Sequence, residues 1–231
     1  MKLHRFLTAA AGVVFAATSA IAQSKPTVAI MYFNDGAIGK AHDELAPLSK
    51  GICDVLITEM ADNPGITVVE RDQLQAIVAE QKLSTDKMTD PSTIVRVGKL
   101  LGVHHMIAGG FVTDPSGTMR LDLRSFDVET GKVEFTTSAM DKTANLLALI
   151  HKVAVKTNAG LKLPDIPKQL GEARETANKK IPFQAVMLYS RGLQAKDEKN
   201  NQGAIQLFNQ ALAAFPGYDA PKKELQKLGV N

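Results

Sequence analysis

Few residues in this chain have the types and spacing that chemistry needs, and each candidate fails on a named requirement. The loop Gly36-Ala37-Ile38-Gly39-Lys40 follows an apolar strand-like run and precedes a helix, where phosphate loops sit. A phosphate loop ending in Gly39-Lys40 needs glycine at position 34 and a hydroxyl residue at position 41. The chain has Asn34 and Ala41, so nucleotide binding is not expected. His104 and His105 are adjacent, and neighbours on a strand point to opposite faces, so the pair cannot share a metal. His42, Asp43 and Glu44 have ligand chemistry, but no second His or Cys cluster supports them, and they read as solvated charges. Neither a G-x-S-x-G elbow nor a paired-carboxylate signature is present, which removes the common hydrolases. Glu70 and Arg71 stand at a strand end, where an ion pair or a helix start outweighs catalysis. Cys53, between Ile52 and Val55 on a helix, reads as a buried inert thiol. The expectation is a chain with no catalytic, cofactor-binding or metal-binding residues, and not an enzyme.

The elements around these residues are organised by the stretch Ile66 to Phe111, which reads as strand, helix, linker, helix, strand. Leu74, Ile77 and Val78 recur at helical spacing after Arg71-Asp72. Asp90-Pro91-Ser92 supplies an N-cap side chain with proline at the first helical position. Ile94, Val97 and Leu101 form the next apolar face, and Gly102 ends that helix in a positive-φ conformation. His105 to Phe111 is a strand, and two strands joined through helices run parallel. Upstream, Thr27 to Phe33 is a continuous apolar strand suited to a sheet covered on both faces. A helix beginning near Pro47 buries Leu48, Ile52, Val55, Leu56 and Met60, and Asn63-Pro64-Gly65 stops it. Downstream, Asp114-Pro115-Ser116-Gly117 turns the chain into an alternating strand at Met119 to Val128, and Glu129 to Lys132 turns it back into Val133 to Ala139. Thr143 to Leu163 reads as a long helix with Leu146, Leu149, Ile150 and Val153 on one face, and His151 and Lys152 off it. The fold class is α/β: a small mixed sheet, parallel core plus antiparallel hairpin, flanked by helices and followed by a C-terminal helical hairpin.

Composition agrees with a packed domain plus an appendage: 231 residues, 45% of them hydrophobic, with a net charge of +3. Lys2, His4 and Arg5 precede the apolar run Phe6 to Ala17, and Ala20-Ile21-Ala22 has the small-x-small form of a cleavage site. Residues 1–22 are therefore expected to be a signal peptide cut after Ala22. Without them the chain is close to neutral, which gives no reason to expect nucleic acid as a partner. Gln23 stands where a lipid-accepting cysteine would be, so a soluble periplasmic protein is expected, with outer-membrane association left open. A single cysteine allows no internal disulfide, and stability must come from the core.

Several of these stretches, in order, resemble the curli-secretion CsgG family: VAIMYF at Val28 to Phe33, VVER at Val68 to Arg71, AEQKL at Ala79 to Leu83, VGKLLGVHHMIAGGF at Val97 to Phe111, and FDVETGKV at Phe126 to Val133. The resemblance covers roughly residues 26 to 163. It implies an envelope protein on a small α/β domain shared with periplasmic assembly factors, including activators of penicillin-binding proteins. From Ala185 the chain is similar to one tetratricopeptide repeat, with Leu188 and Gly192 in the first helix and Ala204, Phe208, Ala211 and Pro216 in and after the second. A third, capping helix is expected within Ala220 to Leu228. The organisation is then a signal peptide (1–22), an α/β domain (23–163), a linker (164–182) and a repeat-like helical hairpin (183–231).

Repeat geometry assigns Val186, Tyr189, Leu193, Lys196 and Asp197 to the ligand-facing side. They are the predicted partner-binding residues, and the equal alternative is that Val186, Tyr189 and Leu193 dock against the α/β domain. The function implied is non-enzymatic binding of envelope proteins in outer-membrane secretion, surface-fibre assembly or peptidoglycan synthesis. Homo-oligomers and peripheral outer-membrane contact are left open. The alternative is a subunit of an oligomeric curli-type secretion pore. Against it, a pore of that kind needs about 40 residues of spanning strand per subunit, and the chain between Phe111 and Thr143 shows a single hairpin.

Overall fold

The structure is a computed structural model that describes residues 25–37 and 40–230; the leader expected at residues 1–22 lies outside them. In chain order it contains strand β1 (Thr27–Ile30), strand β2 (Asn34–Asp35), helix α1 (Lys40–Leu45), helix α2 (Leu48–Ala61), strand β3 (Thr67–Val68), helix α3 (Arg71–Glu80) and, after a 3-10 turn at Thr85–Thr89, helix α4 (Pro91–Leu101). Strands β4 (His105–Thr113), β5 (Thr118–Asp127) and β6 (Val133–Lys142) follow, then helix α5 (Leu146–Gly160). The remainder is helical: α6 (Lys168–Asn178), α7 (Phe183–Asp197), α8 (Asn201–Ala214) and α9 (Asp219–Lys227).

The sheet runs β3-β1-β4-β5-β6, with β2 continuing the line of β1 beside the end of β4. Strand β1 is parallel to β3 and to β4, while β4, β5 and β6 form an antiparallel meander. The mixed sheet expected from the chain is therefore present, with its parallel core first. Val28, Ala29 and Ile30 are buried because neighbours flank β1 on both sides and helices cover both faces. Helices α2 and α5 lie on one face, where Phe135 of β6 packs against Gly160 of α5. Helices α3 and α4 lie on the other, where Gly98 of α4 meets Val128 and Met106. Each fully buried Leu, Ile or Phe in these layers contributes about 1.5–3 kcal/mol of transfer free energy.

Local chemistry sets the boundaries. The Asp90 side chain accepts a 2.8 Å hydrogen bond from Thr93 N with Pro91 at the first helical position, a cap that contributes about 1 kcal/mol to α4. Gly102 ends that helix at φ +68°, and the N–H groups of Gly102 and Val103 return to the last turn's carbonyls. Gly131 at φ +70° closes the β5–β6 turn, as the Glu129 to Lys132 reading requires. Among the boundaries that differ from expectation, two have a local cause. Strand β1 ends at Ile30 because Phe33 N bonds to Ser49 O rather than to a neighbouring strand, although Met31, Tyr32 and Phe33 stay buried. The long helix begins at Leu146 because Thr143–Asn145 form a 3-10 turn.

Residues 164–182 contain α6, which is anchored rather than free. Arg174 pairs with Asp62 through Nε (2.7 Å) and Nη2 (2.8 Å), and Asn178 Nδ2 donates to Glu59 Oε1 (2.7 Å). Glu59 is buried, and its second oxygen meets His151 Nδ1 at 2.7 Å. His151 was placed off the apolar face of α5, and so it is, but it occupies a polar seam between α5, α2 and α6. The hydrogen bond to Glu59 raises the His151 pKa above the ordinary histidine value, against the opposing effect of burial. A raised folded-state pKa gives stability that is full below the unfolded value, near 6.5, and is lost as pH rises through the folded value. The stability difference between wild type and His151→Gln, followed by thermal melting from pH 5 to pH 9, should therefore shrink towards high pH. A difference that is constant or grows across that range would show that Glu59 does not hold the proton on His151.

Candidate functional site

The most heavily charged buried region lies between the α/β unit and α7. Arg71 opens α3 directly after β3, and its residue is only 2% exposed. Its Nη1 donates to both oxygens of Asp197 on α7 (2.9 and 3.0 Å) and lies 3.3 Å from the Tyr32 hydroxyl. Its Nη2 donates to Asp72 (3.2 Å), and its Nε faces Asp54 at 3.6 Å without a hydrogen bond. Burial pulls the guanidinium pKa down, but the oxygens of Tyr32 and Asp197 more than offset this, so it is held above its ordinary value. Burial also pushes the Asp54 carboxyl up, in opposition to the Tyr189 hydroxyl that donates to it and to Arg71. Lys50 of α2 is the second cation on Asp197, and its ammonium sits 4.6 Å from the centre of the Tyr32 ring. Lys196 continues the network to Asp72 (3.1 Å) and to the buried Glu224 of α9 (2.6 Å), and Lys227 closes it on both carboxylates.

All five residues predicted on the ligand-facing side of the helical hairpin meet in this region. Val186, Tyr189 and Leu193 are buried, Tyr189 packs tilted against Phe208 and edge-on to Tyr218 at centroid distances of 5.7 and 5.4 Å, and Lys196 and Asp197 are the ion-pair partners just described. Their polar partners are the chain's own: Asp54 and Lys50 of α2, Arg71 and Asp72 of α3, and Glu224 of α9. At the crossing, a Cβ on Gly51 would stand 1.9 Å from Ser190 Oγ, so the two helices touch through a glycine. Tyr189 and Asp197 thus contact α2 of the same chain. Within the hairpin, Gly192 lies flat against the Phe208 ring in the same manner, and Asn200 caps α8 through Gly203 N (2.9 Å).

The other sequence candidates fall elsewhere. Of the glycine loop, Ile38 and Gly39 lie outside the described residues. His104 Nδ1 pairs with Thr27 Oγ1 (2.7 Å) and His105 Nδ1 with Glu134 (2.7 Å), so the two rings serve different partners. Among the described residues no group of three or more His, Cys, Asp and Glu is placed to hold a metal. Cys53 is fully buried, donates to Ile30 O (3.3 Å), and has its thiol pKa pushed far up by burial. Glu70 is the residue before α3 and gives no side-chain cap.

Beside the ion network a crevice of about 530 Å³ opens at the carboxyl ends of the parallel strands. Tyr32, Asn34, Asp35, His42 and Ala46 line it from the β1–α2 connection, Ser49 and Lys50 from α2, Gln75 and Val78 from α3, Leu83 and Met88 from the segment before α4, and Gln194 from α7. Sequence reasoning missed this crevice. The polar residues after a buried strand, Asn34-Asp35, were its only local signal.

Residues 10–114 match the model of the family described as curli production assembly/transport component CsgG. That segment ends in the turn after β4, and an assembly and transport family supports a non-enzymatic role. A search of curated proteins found no match. Among solved structures, the LpoB C-terminal domain from Escherichia coli is similar at 16% identity, covering 51% of this chain and 83% of that one, with a TM-score of 0.36. TolB from Acinetobacter baumannii is similar at 13%, covering 60% and 29%, TM-score 0.39. The PelC dodecamer from Paraburkholderia phytofirmans is similar at 10%, covering 62% and 96%, TM-score 0.33. The match to the CsgG family therefore stands on the N-terminal portion of the chain, and β5, β6 and the helices from α5 onward follow it.

Proposed function

We propose that the chain is a non-enzymatic interaction and assembly factor of the cell envelope that acts in the periplasm by binding protein partners. The observation that carries this reading is the family match over residues 10–114. In this reading residues 23–163 are the α/β unit, 164–182 the connection and 183–231 the helical unit. Of the five residues Val186, Tyr189, Leu193, Lys196 and Asp197, Tyr189 and Asp197 are engaged by α2 and Lys196 by Asp72 and Glu224, and a partner takes the set only after the two units part.

A surface that needs no such parting lies on the sheet face opposite α5. Val112, Arg120 and Met140 form one cross-strand row there, with Val112 and Met140 exposed; Arg120 donates to Asp122 two residues further along β5 (2.7 Å), and Arg124 lies four residues further. Two exposed apolar residues on this face, with Arg124 beside them and Arg120 paired to Asp122, suit a partner that presents apolar residues and a carboxylate. A photo-crosslinking residue at Met140 should capture an envelope protein in intact cells, whereas one at Tyr189 should give intramolecular products. Intermolecular capture from neither position would defeat the reading. Stepwise conductance from a detergent-resistant ring would replace it with the pore.

A further inference from the structure

The crevice beside the ion network has the location and the chemistry of a small-ligand site. The β1 connection leaves to α2 on one face of the sheet and the β3 connection leaves to α3 on the other, although β1 and β3 are neighbours. Their carboxyl ends therefore flank a topological switch point, where open α/β sheets bind ligands. A volume of about 530 Å³ lies within the roughly 300–1,000 Å³ typical of such sites.

One wall holds a buried carboxylate whose second oxygen meets His42 in an ion-pair contact but receives no hydrogen bond. The Asp35 side chain is 1% exposed. Its Oδ1 accepts from Ala37 N at 2.9 Å, while its Oδ2 has no hydrogen bond, His42 Nδ1 lying 3.1 Å away without making one. A buried carboxylate oxygen left in this state costs free energy that a ligand donor recovers. Across the crevice, Gln75 receives the Tyr32 hydroxyl on Oε1 (2.6 Å) and keeps its amide nitrogen as a donor. Val78, Leu83 and Met88 add an apolar wall. Lys50 is committed to Asp197, so the site offers little to a ligand carboxylate.

We propose that this crevice binds a primary α-ammonium group followed by a carbonyl and an aliphatic side chain, with the ammonium on Asp35, the carbonyl on Gln75 and the side chain on Val78, Leu83 and Met88. Either a free amino acid or the amino end of a peptide presents this chemistry. Because Gln194 of α7 closes the same crevice, an occupant also touches both units. The proposal does not depend on the assembly role.

The test is a calorimetric titration of the full folded chain at pH 7.5 with L-leucinamide, and with N-acetyl-L-leucinamide as the uncharged control. Saturable binding of the first, at least tenfold tighter than the second, is expected, and Asp35→Asn should weaken it tenfold or more. Gln75→Ala, which leaves the Asp35 loop untouched, should weaken it several-fold and covers the case in which Asp35→Asn does not fold. Leucine and the peptide Leu-Gly-Gly then distinguish the sources: tighter binding of the peptide assigns the site to peptide ends, and tighter binding of leucine to free amino acids. No saturable binding of leucinamide, equal binding of the acetylated compound, or unchanged affinity in both variants would overturn the proposal.

Discussion

Replacing Arg71 with methionine should lower the stability of the chain by about 3–5 kcal/mol, the cost of leaving a buried charge without its partner. The guanidinium is 2% exposed and serves Asp197, Asp54, Asp72 and Tyr32 at once. Without it Asp197 keeps only Lys50, and Asp54 keeps the Tyr189 hydroxyl, too little for a carboxyl that burial already pushes up. Chemical denaturation at pH 7, followed by near-ultraviolet circular dichroism, measures the loss. The double variant Arg71→Met with Asp197→Leu should recover a large part of it, because the two charges leave together and methionine and leucine fill the space. A single variant within 1 kcal/mol of wild type would mean that the network is open to water and holds nothing.

The second large effect is expected at Gly51, where no charge is involved. A leucine there places its first carbon on Ser190, 1.9 Å from Oγ and 2.9 Å from Cβ, with backbone only 3.5 Å away. Overpacking typically costs about 1–3 kcal/mol, and the helix axes have no room to absorb a whole side chain. Gly51→Leu should therefore part α2 from α7 while each unit keeps its own core. Limited proteolysis should find new cuts in the stretch between α5 and α6, and the radius of gyration from small-angle scattering should rise. Gly51→Ala combined with Ser190→Gly should restore much of the protection. Wild-type protection in Gly51→Leu would show that the two helices do not meet as described.

Sequence reading reached the elements whose signals are local. Asp90-Pro91 and Gly102 bracket α4 because caps are written in adjacent residues, and the apolar stripe of α2 follows from helical spacing alone. The hairpin β5–β6 was visible in its turns and alternation. Arg71 was recognised as an ion-pair residue, but its chief partner lies 126 positions away on α7, and no periodicity connects the two. His151 shows the same limit: its polar character placed it off the apolar face, while the buried Glu59 that receives it sits on another helix. Asp35 carries no signal of burial in the sequence, since the burial of its carboxylate beside His42 is a fact of three-dimensional packing. The five residues of the helical hairpin were found through repeat geometry, which identifies a face and leaves its occupant undetermined.

The lock between Arg71, Lys50 and Asp197 also dictates an order of events. Its partners are separated by 126 and 147 residues, so closing it means closing most of the chain into one loop, and such long-range contacts come late and slowly. Until α7 arrives, the α/β unit carries two buried-side cations with no counter-charge from the helical unit, and the α2 surface around Gly51 stays wet. Folding should thus show an early phase, in which α4, α5 and the β4–β6 meander consolidate from neighbouring contacts, and a late one in which the carboxyl-terminal helices arrive and the interior becomes dry. The last step acts as a proofreading stage, since only a chain that presents Asp197 in register can neutralise what the first steps left charged.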